Sequence, residues 1–107
     1  MRSDLSQRAR VFRALGDPGR LAILEALRQG EACAGEIASL AGLTPSNASR
    51  HLAFLRDCGL IEARQEWRHV HYRLAGPHVA HLLAEAELVL AIVERHQDCV
   101  GGEEMVS

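Results

Sequence analysis

The segment from Leu43 to Leu60, LTPSNASRHLAFLRDCGL, carries a complete set of signals for one helix and constrains the fold more than any other part of the chain. Thr44 can cap the helix start with its hydroxyl, and Pro45 suits the first turn because its φ is already helical. Gly59 is expected to end the helix. Four residues recur at helical spacing and are predicted to face a core: Ala48, Leu52, Leu55 and Cys58.

The other face of this predicted helix is polar. Its first two turns carry a dense set of hydrogen-bonding side chains: Ser46, Asn47, Ser49, Arg50 and His51. The start of a recognition helix meets base edges in the major groove of DNA, where the helix dipole also favours phosphate. We therefore predict that this face binds DNA, with Thr44 among the contacts. The alternative is that the short polar residues only cap the helix and that Arg50 and His51 lie on a solvated surface.

Three helices are predicted before this segment. An Arg-rich first helix with an apolar stripe stops at Gly16, and Asp17-Pro18 starts a second helix. A short third helix runs from about Cys33 to Leu40, and residues 41–43 form a tight turn. Two helices that are joined by a short turn containing glycine, the second of them polar at its start, are typical of a helix-turn-helix.

After Gly59 the apolar residues alternate with a period of two, which is typical of strands. Residues 61–66 alternate, as do residues 69–74, and a turn near Trp67-Arg68 separates them. A helix-turn-helix followed by a small hairpin is a winged helix. We predict that Arg68 at the hairpin tip contacts the DNA backbone or minor groove; the alternative is an exposed turn residue with no partner. Trp67 is unusual at such a tip.

The last predicted helix opens at Gly76-Pro77 and has no internal breaker before Gly101. Its apolar residues cover more than one face, so it needs two partners. One is its own domain, and the simplest second partner is the same helix of another copy. The predicted dimerisation residues are Leu82, Leu83, Ala86, Val89, Leu90 and Val93. A homodimer also offers two recognition helices to two half-sites of DNA.

These elements predict a mainly α fold with a small β-hairpin: a winged helix-turn-helix in the order α-α-α-α-β-β-α that dimerises through its terminal helices. At 107 residues, one domain is expected over residues 1–100, followed by a flexible tail over 101–107. Aromatic residues make up only 4% of the chain, so the core is expected to consist of aliphatic side chains from packed helices.

The formal net charge of −2 is unevenly distributed. Residues 1–28 hold six Arg against three acidic residues, residues 46–73 hold five against three, and residues 74–107 hold one against six. Positive charge thus lies on the segments that are predicted to face DNA. The chain has no Gly-rich phosphate loop, HExxH, nucleophile elbow or CxxC, which argues against an enzyme. No transmembrane helix or signal peptide is predicted, so a cytoplasmic protein is expected.

Three segments resemble the ArsR/SmtB family of metal-responsive winged-helix repressors and together span nearly the whole chain: LGDPGRLAILEAL, LTPSNASRHLAFLRDCGLI, and WRHVHYRL before a long terminal helix. The CGL after the recognition helix and the HQDCV at the end of the last helix resemble the cadmium- and lead-sensing members. The resemblance implies a homodimer that represses by occupying an operator and leaves it when an inducer binds. It also implies base-contacting positions at Ser46, Ser49 and Arg50 and a wing contact at Arg68.

A soft metal ion, cadmium or lead, is the inducer that this resemblance implies. In the cadmium- and lead-sensing members, two thiols four residues apart on the recognition helix act with a third thiol from the last helix of the other subunit. Cys58 and Cys99 match two of these positions, but Phe54 stands at the position of the first thiol. Cys58 is alternatively a small buried residue. The residues that could complete the site are His51, His96 and Asp98.

A second candidate metal site lies on the last helix. His78, His81 and Glu85 are three and four residues apart and share one helical face. They could bind nickel or zinc, especially with Glu85 or Glu87 of an antiparallel partner helix. A solvated face is the commoner explanation of such a pattern.

We therefore predict a sequence-specific DNA-binding repressor that a soft metal ion releases from its operator. Two groups of alternatives remain open. The same fold could sense nickel or zinc through histidines or oxidants through thiols, or could have no small inducer. In a different class of function, the winged helix could be a dimeric module that binds another protein.

Overall fold

The computed structural model describes the backbone of residues 2–99 and the side chains of residues 4–96. Its elements are, in order, α1 (Arg2–Leu15), α2 (Pro18–Leu27), β1 (Ala32–Cys33), α3 (Ala34–Ala41), α4 (Pro45–Asp57), β2 (Ile61–Glu66), β3 (His69–Leu74) and α5 (Pro77–Cys99). The predicted order of four helices, a hairpin and a fifth helix is confirmed, with one short strand added. The predicted tail, residues 101–107, lies outside the described residues. None of the helices in the described range is long and apolar enough to cross a membrane.

Helices α2 and α4 begin at the capping signals in the sequence. The Asp17 carboxylate accepts a hydrogen bond from the Arg20 N–H at 3.0 Å at the start of α2. The Thr44 hydroxyl accepts one from the Asn47 N–H at 3.2 Å at the start of α4. A capping residue of this kind stabilises a helix by about 1 kcal/mol. Both helices also have proline in their first turn, so their starts are specified locally.

The turn between α3 and α4 depends on Gly42. Its φ of 69° is left-handed, a conformation that glycine adopts without the steric cost of a Cβ. The Leu43 N–H then donates to the carbonyl of Ala38 at 2.9 Å and closes the end of α3. Because only residues 42–44 separate the two helices, this closure fixes the direction in which α4 leaves α3.

One aliphatic core connects α2, α3, α4, the start of β2 and α5. Its largest fully buried side chains are Ile23, Leu24, Ile37, Leu52, Leu55 and Leu83. Ala48, Leu52 and Leu55 form the buried face of α4, as predicted, and Cys58 packs partly buried at the edge of the same core. Burial of a large aliphatic side chain contributes about 1.5–3 kcal/mol. The inner face of α4 is therefore firmly attached to its own domain.

The sheet has three strands in the order β1-β3-β2, whereas only the β2–β3 hairpin was predicted. In β1, Ala32 lies opposite Tyr72 and Cys33 opposite His71, in antiparallel register. A two-residue strand has no periodicity and forms only because β3 is adjacent in space, so the sequence pattern could not reveal it. Helix α3 consequently begins just after Cys33, whose N–H donates to the Glu36 carboxylate at 3.0 Å.

The terminal helices α1 and α5 pack less completely than the central helices. Leu5 and Phe12 of α1 are 62% and 63% exposed. The second half of α5 exposes Leu88, Val89, Leu90, Ile92 and Val93. Leu83 differs from the other predicted dimerisation residues because it is 1% exposed and fills the core of its own chain. It has no surface left for a second copy, so the prediction for Leu83 is wrong.

Candidate nucleic-acid interface and metal positions

The outer face of α4 presents polar residues on its first two turns. Because the buried residues of α4 recur every three to four positions, the residues between them face solvent. Ser46, Ser49 and Arg50 are exposed there. Ala53 and Arg56 continue this exposed face; they were not predicted from the sequence, although their spacing from Arg50 was a signal. An exposed alanine methyl can contact the methyl group of thymine, so the face offers more than polar groups.

Hydrogen bonds order the start of this face. Thr44 caps the backbone N–H of Asn47, and the side-chain oxygen of Asn47 accepts a bond from Nη2 of Arg50 at 2.6 Å. Asn47 is partly buried, whereas Thr44 and Arg50 are exposed. Thr44 and Asn47 therefore support the Arg50 guanidinium. A guanidinium has five N–H donors, so Arg50 retains donors for a base edge or a phosphate.

His51 faces α2 instead of the exposed side of α4. Its side chain is 17% exposed, and its Nε2 lies 3.7 Å from Oδ2 of Asp17. The approach is close at Gly19, where an added Cβ would lie 2.8 Å from the same nitrogen. His51 is therefore a packing residue between α2 and α4, which removes it from the predicted DNA-contacting set. The polar residue type had predicted an exposed position, but His51 lies next to the buried Leu52 on the side of α4 that faces α2.

Arg20 joins three helices next to His51. Its Nε and Nη2 donate to the carbonyls of Ala14 and Arg13 at 3.1 Å, at the end of α1. Its guanidinium carbon lies 4.3 Å from the centre of the Phe54 ring on α4, a cation–π contact. The Arg20 backbone N–H and then the charge of its side chain hold the pKa of Asp17 below its ordinary value. This junction fixes α4 relative to α1 and α2.

Ion pairs cover the strands of the hairpin. Arg64 pairs with Glu31 at 2.6 Å and with Glu66 at 3.0 Å. Arg73 pairs with Glu62 across the two strands at 3.0 Å. Hydrogen bonds from Glu31 and then Glu66 raise the pKa of Arg64 above its ordinary value. The positive charges of these two strands are therefore balanced by carboxylates of their own chain.

The hairpin tip differs from the strands. Trp67 and Arg68 join β2 to β3, beyond the last pair of the ladder between Glu66 and His69. Both tip residues are exposed, and the Arg68 guanidinium carbon lies 5.8 Å from the centre of the Trp67 ring. Among the side chains of residues 4–96, Arg68 forms no ion pair, unlike the two strand arginines. The cation that this hairpin can offer to a phosphate therefore lies at its tip.

Cys58 lies at the end of α4, and its own chain does not surround it with ligands. Within residues 4–96, no group of three His, Cys, Asp or Glu side chains is arranged to hold a metal ion. Phe54, one turn earlier, packs against Arg20 and offers no donor. Cys99 is the last residue of α5, and its side chain lies outside the described residues, as does that of Asp98. The predicted Cys58–Cys99 pair therefore has one member whose position the structure describes in full.

The histidines of α5 are neighbours but do not complete a site in one chain. The ring centres of His78 and His81 are 5.9 Å apart, with the rings edge to face at 83°. Both are exposed, as is Glu85, and the described residues of one chain hold no three-ligand group that includes them. Glu87, a further ligand predicted from a partner helix, pairs with Arg28 at 2.8 Å. A metal site here would have to displace that ion pair or use other donors from a second copy.

An apolar groove of about 360 Å³ lies between α1 and α5. It is lined by Phe12, Leu15, Gly16, Leu82, Glu85, Ala86 and Val89. Three of the predicted dimerisation residues thus line this groove, and Leu90 and Val93 are 53% and 44% exposed on the same helix. A contiguous exposed apolar surface of this kind is typical of a contact with another protein.

The sequence is similar to those of bacterial transcriptional regulators. The family described as "Bacterial regulatory protein, arsR family" matches residues 17–63, from the start of α2 into β2. The HTH-type transcriptional regulator CmtR of Mycobacterium tuberculosis is 48% identical over 92 residues, which cover 86% of this chain and 78% of the relative. The chain belongs to the arsR family. This family was predicted from the sequence and is confirmed.

Solved structures of ArsR-type proteins share the fold. The homodimeric winged helix-turn-helix DNA-binding domain Mb0332 of Mycobacterium bovis, described as a possible ArsR-family transcriptional regulator, is similar with a TM-score of 0.76 at 36% identity, over 97% of this chain and 92% of that chain. The cadmium metal-sensor CmtR of Mycobacterium tuberculosis is similar with a TM-score of 0.64 at 51% identity, over 72% and 80% of the two chains. This arsR-family protein is therefore a winged-helix DNA-binding transcriptional regulator and not an enzyme, as predicted.

Proposed function

We propose that this regulator acts in the cytoplasm as a homodimer that represses transcription by occupying an operator, with α1 and α5 of each copy forming the contact. The observation that carries the dimer is the exposure of large apolar side chains on both helices, such as Phe12 at 63% and Val89 at 55%. Removing apolar surface from water contributes about 25 cal/mol per Å², so a second copy would stabilise this face. The homodimeric relative from Mycobacterium bovis supports this arrangement.

Each copy then presents one α4 to the major groove. Ser46, Ser49 and Arg50 are the proposed base contacts, because they are exposed on the first two turns of α4. The hydrogen bond from Arg50 to Asn47 already orders the guanidinium, so less side-chain entropy is lost on binding. Arg68 at the hairpin tip is the proposed phosphate contact, since the other hairpin arginines are paired within their own chain.

An Arg50→Ala variant tests the base contact. A good base contact contributes about 1–3 kcal/mol, so affinity for a duplex from the protein's own promoter region is expected to fall roughly 5- to 150-fold. Affinity for a scrambled duplex should change much less. Arg73→Ala removes the same charge from an exposed position on β3, where Glu62 already balances it at 3.0 Å, and is the matched control. Equal losses on both duplexes would mean that Arg50 contacts phosphates only. Salt-independent binding, or none, would favour a module that binds protein.

We further propose that a soft metal ion, cadmium or lead, is the inducer and that Cys58 of one copy and Cys99 of the other bind it. Thiolates prefer soft ions, and the relative CmtR is a cadmium sensor. The fit is partial, because Phe54 supplies no sulfur and one chain offers no three-donor group among its described residues. A second copy must therefore supply a ligand. When bound, the ion would connect the end of one recognition helix to the terminal helix of the other copy.

Metal titrations of wild type and a Cys58→Ser/Cys99→Ser variant test the inducer. The ion can release DNA only if it binds the dimer more tightly off the operator than on it. Cadmium or lead should therefore lower operator affinity in the wild type and not in the double variant. A nickel or zinc response that survives in the variant would favour His78 and His81, and a peroxide response that is lost would favour thiol oxidation. If no metal changes operator affinity, the metal proposal fails while operator binding stands.

A further inference from the structure

Trp67 occupies a position in the hairpin that a bulky residue rarely takes. It is the only tryptophan of the chain and the first of the two residues that join β2 to β3. Its φ is 62°. Two-residue hairpin turns favour glycine, asparagine or aspartate where φ is positive, because a Cβ is crowded in that conformation. Glycine would therefore hold this turn without the strain that Trp67 introduces.

Trp67 is also more exposed than any other large apolar residue whose side chain is described. It is 85% exposed, compared with 63% for Phe12. An indole that stays in water contributes no burial energy to the fold. Backbone strain and apolar exposure thus coincide at one residue. Residues in sparsely populated backbone conformations concentrate at functional sites, which favours a binding role for Trp67.

The tip is held in shape by its own chain. Nε2 of Gln65 donates to the Trp67 carbonyl at 3.0 Å. Glu66 and His69 form the last pair of the ladder directly beneath the turn. The indole and the Arg68 guanidinium are therefore presented side by side at the end of an ordered hairpin, with 5.8 Å between the guanidinium carbon and the ring centre.

We propose that Trp67 contacts DNA, with its indole packed against the deoxyribose edges of the minor groove beside the site that α4 occupies. This inference rests on the proposed operator binding and adds a contact that acts through apolar surface. Charge favours duplex DNA over a second protein, because the cation beside the indole, Arg68, pairs with no carboxylate among residues 4–96. Minor-groove binding combines arginine in the groove with apolar side chains against the sugars and base steps.

Trp67→Gly separates a DNA contact from a structural role. Loss of the apolar contact is expected to weaken operator binding about tenfold, because the apolar surface of one aromatic side chain is no longer removed from water. The slope of affinity against salt should stay unchanged, whereas Arg68→Ala should reduce that slope by about 1 because a phosphate contact is lost. Glycine relieves the strained turn, so the melting temperature of Trp67→Gly should rise. Trp67→Phe keeps a ring at the tip and should retain most of the affinity.

Because the chain has a single tryptophan, its fluorescence reports on this contact directly. The full chain is titrated with a duplex from its own promoter region, and a mobility-shift assay follows binding in parallel. Emission should shift to shorter wavelength and acrylamide quenching should fall over the same concentration range as the mobility shift.

Four outcomes would overturn the proposal. Unchanged emission and quenching at full mobility shift would exclude Trp67 from the interface while leaving operator binding intact, as would equal affinities of Trp67→Gly and wild type. An emission shift that follows protein concentration without DNA would place the indole between copies of the chain. Absence of any mobility shift would overturn operator binding and this contact together.

Discussion

The recognition helix α4 and the terminal helix α5 differ in how completely a single chain buries their apolar side chains. On α4, Leu52 and Leu55 are 2% and 0% exposed, and Arg20 of α2 contacts the same helix through the partly buried Phe54. On α5, Leu88 and Ile92 remain 61% and 57% exposed. Folding of a single copy therefore completes the proposed DNA-contacting surface, whereas the proposed pairing surface would be completed only by another molecule.

Helix α5 belongs to both kinds of surface. Its first half is fixed in the core through Leu83, which is 1% exposed, and Glu87 pairs with Arg28 after the end of α2 at 2.8 Å. Its second half carries the exposed apolar face. Since one continuous helix joins these two halves, the way two copies pair would set the spacing of the recognition helices in the proposed dimer. A ligand that changes the pairing would change the fit to two half-sites without disturbing α4 itself.

The largest expected effect tests the α4 side of this contrast. Leu55→Ala should lower the free energy of unfolding by about 2–5 kcal/mol, because it leaves a cavity in a close-packed core. Leu88→Ala, at a position that is 61% exposed in one chain, should change the stability of the separate copy by less than about 0.5 kcal/mol. Urea unfolding at several protein concentrations separates folding from pairing. Equal losses at both positions would contradict the contrast.

A charge introduced on α5 tests whether the exposed apolar face of this helix is the pairing surface. Val89→Asp should weaken pairing at least about 100-fold, or about 2.7 kcal/mol, because it buries an unpaired carboxylate at the proposed contact. Leu40→Asp makes the same kind of change at a residue that is 59% exposed on α3, outside the terminal helices, and should leave pairing unchanged. Sedimentation velocity measures both. A Val89→Asp protein that remains dimeric would move the contact to another surface.

The fold could be predicted from the sequence where neighbouring residues determine it, and not where distant packing does. The start of α4 was predicted correctly because Thr44 and Pro45 act on their own immediate neighbours. Strand β1 was missed because its two residues become a strand only through Tyr72 and His71, about 40 residues later in the chain. On α5, apolar spacing revealed two faces, but only packing could show that Leu83 belongs to the inner one.

The residues of the candidate site also fall into two groups: those that helical spacing placed correctly, and those whose positions depend on contacts between helices. Helical spacing alone was enough to place Ser49 and Arg50 on an outer face. The direction of His51 depends on the absence of a side chain at Gly19, on a different helix, and periodicity carries no information about such a contact. Arg20 was missed for the same reason, since its contacts to Phe54 and the end of α1 arise only when three helices meet.

A Gly19→Ala variant tests how much the packing of His51 against α2 contributes to that junction. The new Cβ would lie 2.8 Å from Nε2 of His51, so the imidazole must rotate away from α2. Gly35→Ala is the matched control, because a Cβ there meets no atom within 4 Å, and it should stabilise by roughly 0.4–1 kcal/mol because alanine lowers the entropy of the unfolded chain. The clash should offset this gain at Gly19, leaving Gly19→Ala about 1 kcal/mol less stable than the control in thermal unfolding. Equal gains would mean that the His51 packing contributes nothing to the junction.

The smallest expected effect concerns the charge at the start of α2. The Arg20 N–H and side chain lower the pKa of Asp17 in the folded chain, so the ionised carboxylate favours folding. This contribution is present above the unfolded pKa of about 3.9 and is lost as pH falls through and below it. Asp17→Asn keeps an oxygen to cap the helix but cannot ionise.

Between about pH 5 and pH 3, the stability of the wild type should therefore fall more steeply than that of Asp17→Asn, and the two curves should converge in acid. Thr44→Ala, which removes the neutral cap of α4, should lower stability by a similar amount at every pH because a hydroxyl does not titrate in this range. Parallel curves for wild type and Asp17→Asn would show that Asp17 acts only as a cap. Its charge would then have no part in holding α2 at the junction with the recognition helix.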